Sequence, residues 1–443
     1  MKTVNYKLQP LDLWMADFLN GDNTGIFIFM RLAKLPDIAR LKKALTVMAQ
    51  VVPEILCYFN RKKKCFVEAG LSPDDLVTVA DDYYKEGLIP HINLSTGPLF
   101  RVTISPCAEG GYWFNVGATH LLTDGGGLKE CLRMLCYFYN YPEKAEAKNF
   151  KNLRDPASLF RKFKPAKLSI PPEIMKVHKS FGKVNIQVEV RNANSHYQIN
   201  KIDLLPHELT RLKAKAKEAD ATLNDVFLTL FHFGLHRHLV KERIVLGCPV
   251  DLRTFFAENI GADTFTVCNL TSYYHIPIKI EENSTFDSVL HSVKTVINRQ
   301  KETNSSLVKL KTFYKIPAWI RPWIMKAQNT TEPIVLYSNV GIIDDNIMRF
   351  NDNEIIDCFI GGSFKELPGI RLLISTFRGK CTLLSNSLGS LEHHLLVTTM
   401  LEDMKQMALE WSTEPVVKKP DIKYHINDDY TPYANTEIYM ANQ

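Results

Sequence analysis

Apolar residues along this chain switch repeatedly between every second position and every third or fourth. These are the periods of a half-buried strand and of an amphipathic helix. Residues 25–32 (Gly-Ile-Phe-Ile-Phe-Met-Arg-Leu) read as a strand, and 36–50 as a helix opening on Pro36-Asp37. Residues 54–68 read as a hairpin with Arg61-Lys62-Lys63-Lys64 as its charged turn. Two strands, 98–106 and 111–118, flank Glu109-Gly110-Gly111, and a helix is predicted over about 127–140.

The pattern breaks over 142–183, which carries Pro142, Pro156, Pro165, Pro171 and Pro172 among many lysines, Lys176, Lys179 and Lys183 included. This composition predicts a crossover or linker. Alternation then resumes, with strands near 184–204, helices at 206–219 and 222–240, and a strand at 243–250. Thr222 and Asp225 form an N-cap pair for the second helix. Strands near 264–277, a helix at about 285–302, strands near 333–342, 355–361, 369–377 and 380–387, and a last helix at about 389–411 follow. The tail, 413–443, is Pro-rich and polar and reads as loosely ordered. The expected organisation is one mixed half over 1–141, a linker over 142–183 and a second half over 184–443. Neighbouring strands often lack an intervening helix, so the α/β pattern predicts mixed (α+β) sheets rather than a doubly wound parallel one.

Bulk properties narrow the classes. Of 443 residues, 45% are hydrophobic and 23% charged, ordinary for a globular protein. The net charge of +6 is mild for this length, with no basic arm to suggest a nucleic-acid partner. Nine cysteines, none in a Cys-x-x-Cys pair, support neither a metal site nor a disulfide framework and read as reduced, buried thiols. The amino terminus lacks a signal-peptide core, and no apolar run reaches the roughly 18 residues of a spanning helix. The expectation is a cytoplasmic protein with no integral membrane segment.

The chemistry concentrates at His120-Leu121-Leu122-Thr123-Asp124-Gly125, which follows the apolar run 112–118 and precedes a helix. Imidazole titrates near neutral pH and suits proton abstraction from an attacking nucleophile. Gly125, Gly126 and Gly127 leave room for substrate or backbone to approach. A structural histidine beside an Asp-Gly turn is the competing explanation. His232, His236 and His238 share one helical stretch, but the Glu of a His-Glu-x-x-His site is missing and no third ligand is evident. His393-His394 reads as part of a partly exposed face of the last helix. No nucleophile elbow, phosphate loop or dinucleotide fingerprint occurs.

The His-x-x-x-Asp-Gly motif resembles the active-site signature of the chloramphenicol acetyltransferase-like superfamily, which includes peptide-synthetase condensation domains, plant BAHD acyltransferases, wax ester synthases and alcohol acetyltransferases. Further segments resemble it in family order: Leu11-Asp12-Leu13-Trp14-Met15, Gly97-Pro98-Leu99-Phe100-Arg101, Ala221-Thr222-Leu223-Asn224-Asp225-Val226, Pro249-Val250-Asp251-Leu252-Arg253 and Ser338-Asn339-Val340-Gly341. The resemblance spans about residues 7–412 and is strongest to the standalone alcohol acetyltransferase-like members. Thr119 stands where many members have a first histidine, and the BAHD Asp-Phe-Gly-Trp-Gly segment is absent.

The resemblance implies two subdomains meeting at a tunnel, with His120 as catalytic base beside Asp124 and Gly125. Arg253 would pair with Asp124 and hold the loop. Ser338, Asn339, Thr119 and Gly126 would contact substrate. It implies acyl transfer from a thioester, with coenzyme A thioester as co-substrate, no bound cofactor and no metal. The acceptor would be an alcohol or amine. A carrier-protein thioester as donor, with an acyl carrier protein as partner, and a non-catalytic binding protein of the same fold are the alternatives.

Overall fold

The computed structural model describes residues 4–18, 25–155, 169–171, 195–239, 244–256, 260–261, 263–308, 320, 335–366 and 369–414. Most of the expected crossover with Lys176, Lys179 and Lys183, the expected strand segment 184–194 and the tail beyond 414 lie outside these residues.

A five-stranded sheet has the order β14 (Ile355–Gly361), β2 (Gly25–Leu32), β7 (Tyr112–Thr119), β6 (Phe100–Pro106), β5 (Val77–Val79). Only the β5–β6 pair is parallel. Beside it, β1 (Asn5–Lys7), β4 (Cys65–Glu68) and β3 (Cys57–Asn60) make a small sheet. Helices α1 (Pro10–Phe18), α2 (Ile38–Val51) and α3 (Gly125–Asn140) belong to this half. Along β2, Ile26, Ile28, Met30 and Leu32 enter the core shared with α2 and α3, while Phe27 and Phe29 take the other face. Both faces are covered, which explains why this strand reads as a continuous apolar run.

The larger sheet has the order β12 (Thr271–Ile278), β10 (Ile244–Asp251), β13 (Val335–Ile342), β16 (Ile370–Phe377), β17 (Lys380–Gly389), β15 (Lys365–Glu366), and β9 (His196–Leu204) also pairs with β17. It mixes parallel pairs (β10–β13, β13–β16, β15–β17) with antiparallel ones. One face carries α4 (Pro206–Glu218), α5 (Leu223–His238), α6 (Phe286–Glu302) and α7 (Leu391–Thr413) over a core that includes Ile370, Leu372 and Ile374. The Thr222–Asp225 capping box opens α5. A short pair, β8 (Lys151–Asn152) with β11 (Thr264–Phe265), bridges the halves.

A separate aromatic core joins the sheets: Phe27, Phe29, Trp113 and Phe359 from the first meet Ile199, Leu373 and Leu384 from the second. Phe29 and Phe359 stack at 5.0 Å. The fold is therefore a mixed α+β structure of two sheets that share an interface and carry helices on their outer faces.

Several expectations are revised. The strand at 355–361 completes the first sheet, with Gly361 opposite Phe27, although it comes late in the chain; Cys358 and Ile360 enter one core and Phe359 the other. The expected strands near 264–277 are Thr264–Phe265 and Thr271–Ile278; between them Thr266–Leu270 forms no ladder, because its polar groups serve the site described below. Helix α3 starts at Gly125, two residues early, because Asp124 caps it. His393 and His394 are 1% exposed each, not surface residues, since they begin the inward stripe of α7 that continues through Val397, Met400 and Met404. All nine cysteines are buried and free. Among the described residues no helix is long and apolar enough to cross a membrane.

Candidate active site

His120 is half-buried where the chain leaves β7. The Thr119 carbonyl accepts from the Leu122 and Thr123 amides, and its hydroxyl accepts from Leu121 N at 3.3 Å. Thr119 thus closes the turn that presents His120, with its side chain fully buried.

The turn runs into α3 through Asp124. Its Oδ1 accepts from Gly127 N at 2.8 Å, an N-cap bond that places a carboxylate at the positive end of the helix. Its Oδ2 accepts from Leu270 N at 2.6 Å and Thr271 Oγ1 at 2.8 Å. Arg253 Nη1 lies 2.9 Å from Asp124 Oδ1. Burial alone would raise the Asp124 pKa, but the Arg253 charge and these donors hold it below the usual carboxylate value. Asp124 is therefore an anchored anion, with both carboxylate oxygens engaged.

Arg253 is equally engaged. Nε donates to Thr266 Oγ1 at 2.9 Å, Nη2 to the Thr266 and Cys268 carbonyls at 2.8 Å each, and Nη1 also reaches Asp251 Oδ1 at 3.1 Å. The arginine ties the end of β10, the irregular Thr266–Leu270 segment and the start of α3 into one unit. A planar guanidinium fits such a donor fork and lysine does not. Gly126 and Gly127 accommodate it: a Cβ on Gly126 would stand 2.6 Å from Arg253 Nη1, and one on Gly127 3.0 Å from Nη2. Gly126 therefore packs on Arg253 rather than lining open space. Gly125 faces Val340, whose Cγ1 would be 3.4 Å from an added Cβ.

Sequence reasoning missed Asn269. Its Nδ2 donates to Asp12 Oδ1 at 2.8 Å, to the His120 carbonyl at 3.0 Å and to the Leu121 carbonyl at 3.3 Å. The amide orientation is thereby determined, so its Oδ1, 3.3 Å from His120 Nδ1, must accept. Nδ1 then carries the proton and Nε2 the lone pair. Asp12 is buried and held by Arg154 Nη2 at 2.7 Å, while Arg154 Nη1 donates to the Leu122 and Val267 carbonyls. Burial first, and then the charge of Arg371, lower the His120 pKa; Asp124, the His120 carbonyl and Asn269 oppose this without reversing it. The imidazole is neutral at neutral pH, in one tautomer, with Nε2 able to take a proton.

Asn339 Nδ2 donates to Asn224 Oδ1 at 3.2 Å, and its Oδ1 accepts from Gly341 N at 3.0 Å. Asn339 thus ties β13 to the start of α5, where Tyr337 Oη also donates to Asn224. Tyr337 lies in the helix-covered core, so Ser338 projects from the opposite, inter-sheet face. Lys129 Nζ donates to the Val340 carbonyl at 2.8 Å, which sets the end of β13 beside α3. The signals for the missed residues were weak. Asn269 stood inside an apolar run, Asp12 in the opening segment, and Arg154 as one cation in a basic, Pro-rich stretch.

His232 lies inside the α5 core, and among the described residues no three His, Cys, Asp or Glu side chains come together as a metal-ligand set.

No protein-family model matches the chain, and no curated protein sequence does. Solved structures do. Polyketide synthase associated protein 5 from Mycobacterium tuberculosis is 15% identical with a TM-score of 0.64, over 93% of this chain and 99% of that one. A trichothecene 15-O-acetyltransferase from Fusarium sporotrichioides is 11% identical with a TM-score of 0.65, over 92% and 96%. The first condensation domain of the CDA synthetase is 13% identical with a TM-score of 0.61, over 94% and 97%. The chain shares the overall fold of these three structures.

Proposed function

We propose that the protein is an acyltransferase that moves an acyl group from a thioester, coenzyme A thioester being the expected donor, to an alcohol or amine. The single observation carrying this reading is the 3.3 Å contact of His120 Nδ1 with Asn269 Oδ1, an arrangement that favours the Nδ1–H tautomer and leaves Nε2 to accept a proton. Nε2 takes the proton from the acceptor O–H or N–H as that atom attacks the thioester carbonyl. The new C–O or C–N bond forms, the C–S bond breaks, and the proton passes from His120 to the departing thiolate. No acyl-enzyme is involved.

Asp124, Arg253, Asp12 and Arg154 act as positioning residues, keeping the histidine within the tolerance such chemistry needs. The fold shared with an acetyltransferase and with condensation domains supports the reading. The test is acceptor-dependent thiol release from acyl-CoAs of increasing length and, side by side, from acyl groups on a phosphopantetheinylated carrier protein. Release with coenzyme A thioesters supports the reading in full. Release from the carrier alone retains acyl transfer and changes the donor. No release with any donor and acceptor overturns it.

A further inference from the structure

Strand β13 crosses from one half of the molecule to the other. Val335 and Tyr337 lie in the helix-covered core of the larger sheet, whereas Val340 packs on the core of the first half. The ladder with β16 is interrupted on the way. Asn339 pairs with Ile374 and Gly341 with Ser375, which leaves Val340 as the extra residue of a bulge. Gly341 adopts φ +75°, the left-handed region open to glycine, and its amide donates to Asn339 Oδ1 at 3.0 Å.

Helix α3 grips this bulge at two points. Val340 has no register partner on β16, and its carbonyl accepts from Lys129 Nζ at 2.8 Å. Its side chain meets Gly125, where an added Cβ would stand 3.4 Å from Cγ1 and 3.9 Å from Cγ2. Gly125 and Lys129 are four residues apart on α3, so both contacts fall on one face of its first turns.

Lys129 is half-buried. Among the described residues it makes no ion pair, and the Val340 carbonyl is its one hydrogen-bond partner. Burial lowers its pKa, and the nearby Asp251 opposes this without reversing it. An ammonium costs more to desolvate here than an apolar side chain of the same length. What the charge adds over such a stem is the hold on this carbonyl.

The grip adjoins the histidine loop. Gly125 follows Asp124, whose carboxylate caps α3 and pairs with Arg253. On the strand side, Asn339 is tied to Asn224 at the start of α5, and Ser338 projects from the inter-sheet face. A shift of the bulge along α3 therefore changes the separation between the two halves where His120 stands.

We propose that Lys129 is a positioning residue for acyl transfer: it holds the Val340 bulge and so fixes the spacing between the His120 loop on one half and the Ser338–Asn339 segment on the other. The inference rests on the acyl-transfer reading and deepens it by adding a residue that acts on the reaction through the seam between the halves.

The test loosens the bulge from both sides. Lys129→Met keeps the stem and removes the donor. Gly341→Ala acts through the backbone, because its left-handed φ disfavours alanine while nothing lies within 4 Å of an added Cβ. Each variant is expected to lose about tenfold in kcat, with a smaller change in KM. The double variant should lose little more than either alone, since both act through one element. Hydrogen exchange supplies a readout without turnover. The Gly341 amide is expected to exchange about tenfold faster in Lys129→Met than in the wild type, while amides in the middle of α7 exchange as before.

Thiol release by the wild type with kcat unchanged in Lys129→Met overturns the positioning role and leaves acyl transfer standing. A loss carried by KM alone, or losses that multiply in the double variant, also overturns it, because Lys129 would then act on binding or apart from the bulge. No release by the wild type overturns the acyl-transfer reading. Faster exchange at Gly341 in Lys129→Met would then retain Lys129 as the residue that fixes the bulge, and unchanged exchange would overturn that as well.

Discussion

Asn269 Oδ1 lies 3.3 Å from His120 Nδ1, while the same side chain's Nδ2 is committed to Asp12 and to two carbonyls of the histidine loop. The amide cannot turn over without breaking the second set of bonds, so the relationship selects one tautomer. Asn269→Leu keeps approximate volume and removes that selection. The expected effect is a fall in kcat of about tenfold to a hundredfold, the scale of a misplaced catalytic group, with a smaller change in KM. Steady-state kinetics on the folded variant checks it; unchanged kcat contradicts the assigned tautomer.

Buried Asp124 forms an ion pair with the largely buried Arg253, which also reaches Asp251. Removing the arginine leaves the Asp124 carboxylate uncompensated, at a cost of about 3–5 kcal/mol. Arg253→Met is expected to lose stability on that scale, and Asp124→Ala less, because Asp251 still faces the arginine. The double variant should lose less than the sum, as contacting residues do. Denaturant unfolding of the set measures the coupling, and strictly additive losses would contradict it.

The glycines after Asp124 differ in what they face. Alanine at Gly126 would meet Arg253 Nη1 at 2.6 Å and Asp251 Oδ2 at 2.8 Å, whereas alanine at Gly125 would meet Val340 Cγ1 at 3.4 Å. Overpacking of the first kind costs about 1–3 kcal/mol. Gly126→Ala should therefore unfold at clearly lower denaturant than Gly125→Ala. Equal midpoints would contradict the packing of Gly126 on Arg253.

Acid sensitivity follows from two buried histidines. Burial pushes His232 down to about 3; burial, then the neighbouring His394, push His393 down to about 4. The unfolded chain protonates both near the ordinary value of about 6.5, so between pH 6.5 and about 4 it binds protons that the folded chain refuses. Stability therefore falls as pH falls through that window, by about 1.4 kcal/mol per unit for each histidine. His232→Phe also removes two ring nitrogens that are buried without partners. It should be more stable and show a shallower slope between pH 6 and 5, by about 1.4 kcal/mol per unit. An unchanged slope in urea titrations would contradict a buried neutral His232.

Legibility in the sequence followed locality. Strands β2, β6 and β7 and helices α2, α5 and α6 announced themselves through apolar period and caps such as Asp37 and Thr222, because both signals sit within one turn or one strand. The membership of β14 in the first sheet was not legible, since pairing Gly361 with Phe27 joins residues far apart in sequence. The segment 266–270 read as strand because Val267, Cys268 and Leu270 are apolar. In the structure its carbonyls and amides go to Arg253 and Asp124 instead of a ladder. The His120–Asp124 loop stood out by its spacing. Its supports, Asn269, Asp12 and Arg154, did not, because each is a single polar residue whose meaning comes from burial and from partners in other elements. His393 and His394 were misread for the opposite reason, since polarity suggested solvent and the helix turned them inward.

The most direct measurement is acceptor-dependent thiol release by His120→Ala beside the wild type, with thermal unfolding confirming that both are folded. A general base at this position is worth about a hundredfold or more in turnover. The account predicts wild-type release that falls by at least that factor in the variant while its unfolding temperature stays near that of the wild type. A folded variant that releases thiol at the wild-type rate would contradict it.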